Sequence, residues 1–200
     1  MEEKMEEKNN LPGNKVNIST QKMLGGIGAL LILLGAVPGI GILLSIAGGV
    51  LLIVSIYQIS NMLKKPAIFN KFIIGFVLGL SGWVIALFFG LLSFVGVFGL
   101  AGLLHAYFAM AAIFGMGIGI FVAIILVYIL FVAATYFYKK AYSMLANALN
   151  HKLFSTAGLL MFIGAITIIL FGLGAILLFI GWIILAVAFF TAPEEVEVVG

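Results

Sequence analysis

The sequence predicts an all-α fold, a polytopic helix bundle set in a lipid bilayer, with six transmembrane helices in three hairpins. Three observations predict it. Apolar residues make up 64% of the 200-residue chain and charged residues 8%, against roughly 45–50% and 25% in a soluble domain. The charges cluster, so that 23–63, 72–138 and 153–193 contain no Lys, Arg, Asp or Glu. Near the middle of each shorter stretch stand glycines, with a proline in the first, where a hairpin needs a turn. A water-soluble globule is excluded, and so is disorder over most of the chain.

The elements follow in order. Residues 1–22 form a polar N-terminal tail carrying Glu2, Glu3, Lys4, Glu6, Glu7, Lys8, Lys15 and Lys22. Its length and mixed charge, with no A-x-A site after the apolar run, are not those of a secretory signal peptide. From Lys22 to Lys64 the chain is uncharged. As one helix this stretch would measure ~62 Å, twice the hydrocarbon thickness. It therefore makes two helices, near 23–37 and 42–62, with the break at Pro38, Gly39 and Gly41. The first is short enough to tilt little or to thin the bilayer around it.

The longest uncharged stretch, between Lys71 and Lys139, is harder. Two crossings, near 68–92 and 113–138, leave a surplus at 93–115 that is too apolar for a water-exposed loop. Three crossings would set Lys139 and Lys140 opposite Lys71. Two keep every juxtamembrane lysine on one side, as the positive-inside rule requires, so 93–115 is expected as an interfacial or re-entrant helical segment. Residues 139–152 are amphipathic, with Tyr142, Leu145 and Leu149 on one face. They suit a helix leaving the membrane or lying on it, more as a connector than as a partner-binding element. Two more helices follow, near 153–170 and 174–191, separated at Gly172 and Gly174, and 193–200 is an acidic tail. Both termini then lie on the lysine side, the cytoplasmic face of the cell membrane.

A repeat is suggested within this order. Gly39-x-Gly41 followed by Gly48 is echoed, at the same spacing, by Gly172-x-Gly174 followed by Gly181. A duplicated hairpin in parallel orientation leaves such an echo, and glycine-rich apolar sequence also makes one by chance.

The segment Leu153 to Ala192 resembles the C-terminal hairpin of a family of prokaryotic membrane proteins, domain of unknown function 996. Leu24 to Leu30 with Pro38-Gly39-Ile40-Gly41 is similar to that family's start. So is Ile68-Phe69-Asn70, although the family often has Arg where Asn70 stands. The resemblance covers most of 23–192 and neither tail. It implies a multi-pass membrane protein of archaea or bacteria and brings no activity with it.

The chemistry is sparse. All ten basic residues are Lys, all seven acidic residues are Glu, and there is no Cys. Apart from Lys71 at the start of the third, no Asp, Glu, Lys or Arg falls inside an expected span. Such residues mark ion paths and proton relays, so a proton-coupled pump, a voltage sensor and an intramembrane aspartyl protease are disfavoured. His105, in the outer apolar segment, and His151, beside Lys152, have no partner carboxylate nearby in sequence. Two histidines alone do not make a zinc site, and the serines lack the base and acid of a hydrolytic triad. The expectation is hydroxyls bonded to neighbouring helices.

Gly75-xxx-Gly79 and Gly115-xxx-Gly119 fit the spacing that lets helix backbones approach closely. Lys64, Lys65, Lys71, Lys139, Lys140 and Lys152 form a rim that topology explains and that also suits anionic lipid headgroups. No catalytic residue, metal site or cofactor is expected. The expected partners are membrane lipid, a second copy or another membrane protein, with no nucleic acid. The expected function is a non-enzymatic interaction or structural component of the membrane. The alternative is a transporter or pore for a small uncharged or lipidic solute.

Overall fold

The computed structural model describes residues 14–95, 106–170 and 172–198. Strand β1 (Asn14–Asn17) leads into helix α1 (Ser19–Leu33), which ends in a 3₁₀ turn, Leu34–Ala36. Then come α2 (Gly41–Met62), α3 (Pro66–Val95), α4 (Ala106–Ala148), α5 (Leu153–Thr167), α6 (Leu173–Thr191) and β2 (Glu195–Val198). Four stretches are long and apolar enough to cross a membrane: Gly41–Met62, Pro66–Leu92, Gly119–Ala148 and Leu173–Thr191. Helices α1 and α5, at 15 residues each, fall short of the ~20 that a full crossing takes.

The helices pair as three hairpins, α1 with α2, α3 with α4 and α5 with α6. Between hairpins α1 packs on α6, α5 on α4, and α3 on α2. The turns at the two ends differ. At the glycine end, Gly39 has φ +89° and Gly172 φ +79°, left-handed conformations that cost a residue without Cβ little. At the lysine end the left-handed residues are Lys64 (φ +53°) and Asn150 (φ +50°).

Both lysine-end turns close as Schellman motifs. The Lys65 N–H donates to Ser60 O at 2.9 Å and the Lys64 N–H to Asn61 O at 3.0 Å. The His151 N–H donates to Ala146 O at 2.9 Å. Lysine bears a steric cost of ~1–2 kcal/mol in this conformation. Lys64→Gly should therefore raise stability by about 1 kcal/mol. In a thermal melt this reads as a rise of roughly 2–4 °C.

The side-chain core lies towards the lysine end. Ile56, Phe72, Tyr142, Leu145, Phe154, Leu185 and Phe189 are all buried there. The amphipathic face of 139–152 enters this core, with Tyr142, Leu145 and Leu149 buried and Asn147 and Asn150 exposed. The face expected to lie on the membrane or to await a partner is thus taken up by the chain's own core, where Tyr142 meets Phe72 of α3 and Gly158 of α5.

Two further expectations change. Helix α4 is one continuous helix of 43 residues, ~65 Å long, which joins the expected fourth span to the expected connector. The surplus at 93–115 is in part absorbed by its neighbours, since α3 runs to Val95 and α4 starts at Ala106. Residues 96–105 lie outside the described residues. The tails are also more than solvated ends. β1 and β2 pair antiparallel, with Asn14 opposite Val198, Lys15 opposite Glu197, Val16 opposite Val196 and Asn17 opposite Glu195.

This clasp continues into the helices. The Ile18 N–H donates to Glu194 O at 2.7 Å, and the Ile18 side chain is fully buried. Lys22 Nζ donates to Ala192 O at 3.0 Å and pairs with Glu194 at 3.0 Å. Lys22 is largely buried and Glu194 exposed, so solvent screens the pair and its carbonyl bond matters as much. Lys22→Met should cost about 1–2 kcal/mol. The expected readouts are a lower melting temperature and faster amide exchange at Val16 and Val196.

Candidate functional site

The lysine rim is built by the turns and by the last turns of α4. Lys64 and Lys65 are exposed on the α2–α3 turn, and Lys152 on the α4–α5 turn. Three more lysines lie over aromatic rings. Lys71 Nζ is 5.8 Å from the Phe137 ring centroid, Lys139 5.0 Å from Phe162 and Lys140 4.9 Å from Tyr136. A cation over a ring face gains ~0.5–1 kcal/mol at exposed sites. The lysine stems thus lie along aromatic surface with their charges near the helix ends, as interfacial anchors do.

His151 sits beside this rim. Its Nε2 is 2.9 Å from Thr191 Oγ1, and its ring meets Phe154 edge-on at 5.8 Å. A groove of about 670 Å³ opens there, lined in part by Asn150, His151, Glu195 and Glu197. Among the described residues no group of three or more His, Cys, Asp or Glu is placed to hold a metal ion. His105 lies outside the described residues.

Several hydroxyls bond within their own helices. Ser81 donates to Val77 O, Thr135 to Val132 O, Thr167 to Ile163 O and Thr191 to Val187 O. Others reach beyond their own helix: Ser55 donates to Gln21 O at 2.7 Å, Tyr128 to Ile166 O at 2.9 Å and Ser60 to Lys65 O at 2.7 Å, and the Ser143 and Ser155 hydroxyls lie 3.3 Å apart between α4 and α5. The expectation of bonds between helices thus holds for some of these groups and not for others. Among the described residues no buried side-chain nitrogen or oxygen lacks a partner.

Of the candidate packing glycines, Gly75 is tight. A Cβ there would come 2.9 Å from Ala134 O. Gly79 has only ordinary contact, its Cβ position lying 3.8 Å from Ala134 Cβ. Gly119 has nothing within 4 Å. The surroundings of Gly115 are outside the described residues. Among the turn residues, Pro38 and Gly39 stand in the first turn and Gly172 caps α6. Gly41 and Gly174 lie in the first turns of α2 and α6, where a Cβ would strike the backbone of Gly35 and of Gly164.

Other close helix crossings come from glycines outside the two GxxxG motifs. A Cβ on Gly28 would lie 2.8 Å from Gly48 O, and one on Gly48 2.6 Å from Gly28 O. A Cβ on Gly164 would lie 2.8 Å from Gly174 O. Gly25 faces Phe189, whose ring occupies the space a Cβ would need. None of these pairs is a GxxxG on one helix. Their signal is instead a match between glycines of two helices, visible once the hairpin is assumed.

At the glycine end an apolar cavity of about 490 Å³ opens between α3 and α4, closed on one side by the end of α5. Ala86, Phe89, Ile120, Ala123, Ile124 and Ile168 line it, with Tyr128 supplying a hydroxyl. That hydroxyl is already bonded to Ile166 O. The cavity can hold an apolar group. Among the described residues it is lined by no nucleophile, base or charge with which to transform one.

The sequence profile described as "Protein of unknown function (DUF996)" matches residues 44–183. An uncharacterized protein of Methanocaldococcus jannaschii is 32% identical over 184 residues, covering 92% of this chain and 97% of its own. No solved structure matches. On the extent of both matches, this chain belongs to the DUF996 family of proteins of unknown function.

Proposed function

We propose that this protein lies in the cell membrane with six crossings, its lysine-end turns and both termini cytoplasmic, and acts without catalysis as an interaction or structural component. Every charge among the described residues lies at one end of the helices, which supports this sidedness. The short α1 and α5 cross where the bilayer thins around them.

The observation that carries the interaction reading is the mismatch in helix length. Helices α4 and α5 share one turn at the lysine end, yet α4 has 43 residues and α5 has 15. Helix α4 thus extends ~40 Å past the end of α5. Trp83, Leu87 and Leu91 on the outer turns of α3, and Phe121 on this extension, are all more than 60% exposed. A ~65 Å helix outreaches the ~30 Å hydrocarbon layer, and apolar surface carried beyond the bilayer is a contact surface. Native mass spectrometry of the protein in mild detergent tests the reading. A discrete oligomer or a co-purifying membrane protein is the expected result, and a bare monomer contradicts it.

The cavity between α3 and α4 favours a second reading, transport of a small uncharged or lipidic solute. Proteoliposomes showing no flux above empty vesicles across a broad solute panel would sink it.

A further inference from the structure

The three hairpins match one another at a set of their close contacts. A single shift along the sequence carries Gly25, Gly28 and Gly35 of the first hairpin to Phe72, Gly75 and Gly82 of the second. Another carries Gly41, Gly48 and Ile56 to Val127, Ala134 and Tyr142. A third carries both helices to the last hairpin, giving Gly158, Met161 and Ile168, then Gly174, Gly181 and Phe189.

The crossings within hairpins obey these shifts. Gly28 of α1 meets Gly48 of α2. The equivalent pair Gly75 and Ala134 also meets, at the 2.9 Å noted above. In the last hairpin the pair is Met161 and Gly181, where a Cβ on Gly181 would lie 2.8 Å from Met161 Cγ. Nearer the glycine end the equivalent pairs are Gly35 with Gly41, Gly82 with Val127, and Ile168 with Gly174. Each of these is again in contact across its hairpin.

The seams between hairpins obey them too. Gly25 of α1 packs on Phe189 of α6, and the equivalent pair, Gly158 of α5 and Tyr142 of α4, packs likewise. The third equivalent pair is Phe72 of α3 and Ile56 of α2, both buried in the same core cluster. There the bulk has moved from the second helix to the first. Ile56, Tyr142 and Phe189 are all at most 1% exposed. At every seam the first helix of one hairpin packs on the second helix of another, so the arrangement is cyclic. The turns agree as well. The shift that relates Gly48 to Gly181 also relates Gly39 to Gly172, and the one that relates Gly48 to Ala134 relates Lys64 to Asn150. Both pairs share a left-handed backbone.

One copy is longer. The first and last hairpins are related by one common shift, so they have equal length. In the middle hairpin the second helix is displaced further than the first, and the excess falls between Gly82 and Val127, which take the places of Gly35 and Gly41. Most of the residues lining the apolar cavity lie in this excess, among them Ala86, Phe89, Gly90, Ile120, Ala123 and Ile124.

We propose that the chain is a triplicated helical hairpin closed about a pseudo-three-fold axis, and that residues 83–126 are an apolar module inserted into the middle copy. The ring is the scaffold. The module builds the cavity and the projecting surface, and the ring folds without it. The proposal rests on the equivalence of contacts and stands apart from the functional reading above.

Two experiments test it. In the first, residues 83–126 are exchanged for Ala-Val-Pro-Gly-Ile, the segment that separates Gly35 from Gly41. The shortened protein should extract as a monodisperse species and melt cooperatively within about 5 °C of the parent. Aggregation or loss of the transition overturns the separability of the module. In the second, Gly28→Leu, Gly75→Leu and Gly181→Leu are compared with Gly90→Leu and Gly119→Leu in the full-length protein. The first three should each lower the melting temperature by a similar amount, and the last two should leave it unchanged. A silent Gly75→Leu, or a Gly90→Leu as damaging as Gly181→Leu, overturns the three-fold equivalence.

Discussion

Gly48→Leu should lower the melting temperature of the detergent-solubilised protein by about 6–12 °C, while Gly49→Leu beside it should have almost no effect. The first substitution sets a side chain 2.6 Å from Gly28 O and 2.9 Å from the backbone nitrogen of Ile32. Both are backbone atoms of α1, so no rotamer change relieves the clash and the helices must separate. Overpacking against backbone costs about 3 kcal/mol, the top of the usual range. At about 2–4 °C per kcal/mol for a chain of this size, the shift follows. Gly49 has nothing within 4 Å of its Cβ position, so a leucine there meets only the surrounding lipid or detergent. Equal effects at the two positions would show that helix propensity, and not the crossing, sets the cost.

Phe189→Ala is expected to have an effect of similar size by the opposite route, a void. The Phe189 side chain is fully buried against Gly25 and meets Phe154 edge-on at 4.9 Å. It therefore helps to hold the seam between the first and third hairpins. In a membrane the hydrophobic transfer gain is small, because lipid is as apolar as the side chain. The loss is then mainly of packing, so about 3 kcal/mol, near the bottom of the range for deleting a buried ring, is the expected cost. Phe179→Ala is the control, since Phe179 is 51% exposed. A Phe189→Ala variant that melts with the parent would mean that α1 and α6 are not held by this contact.

Much of this architecture was legible because charge and glycine placement are local signals. The uncharged stretches mark the hairpins, and Pro38-Gly39 and Gly172 announce their turns. The tail clasp was not legible. Asn14–Asn17 and Glu195–Val198 are two short segments at opposite ends of the chain; the second alternates polar and apolar over only four residues and the first does not alternate at all. The partners that complete Val16 and Val196 exist only after the bundle has brought the termini together. The continuity of α4 was hidden for another reason. Lys139 and Lys140 look like an end to a span, yet lysine is a good helix former, and the helix carries both out of the apolar stretch to Ala148.

The glycine sites divide in the same way. A glycine's role depends on what stands opposite, and the sequence of one helix does not carry that. Gly75 and Gly119 look alike in their motifs, yet one abuts α4 and the other faces open space. The repeat was half legible. The echo of Gly39, Gly41 and Gly48 in Gly172, Gly174 and Gly181 shows in the glycines themselves. The middle copy keeps the contact positions with different residues, Phe72 and Tyr142 at its seams and Ala134 at its crossing. Only the contacts reveal it.

The central claim, that the hairpins cross the membrane with their lysine-end turns inside, is open to one direct measurement. The chain has no cysteine, so single cysteines can be placed without background. Ile40→Cys and Leu173→Cys stand at the glycine end, and Lys65→Cys and Lys152→Cys at the lysine end, all at exposed positions. In intact cells a membrane-impermeant maleimide should label the first two, and it should reach the other two only after permeabilisation. Labelling of Lys65→Cys or Lys152→Cys from outside, or the same access to all four, would contradict the account.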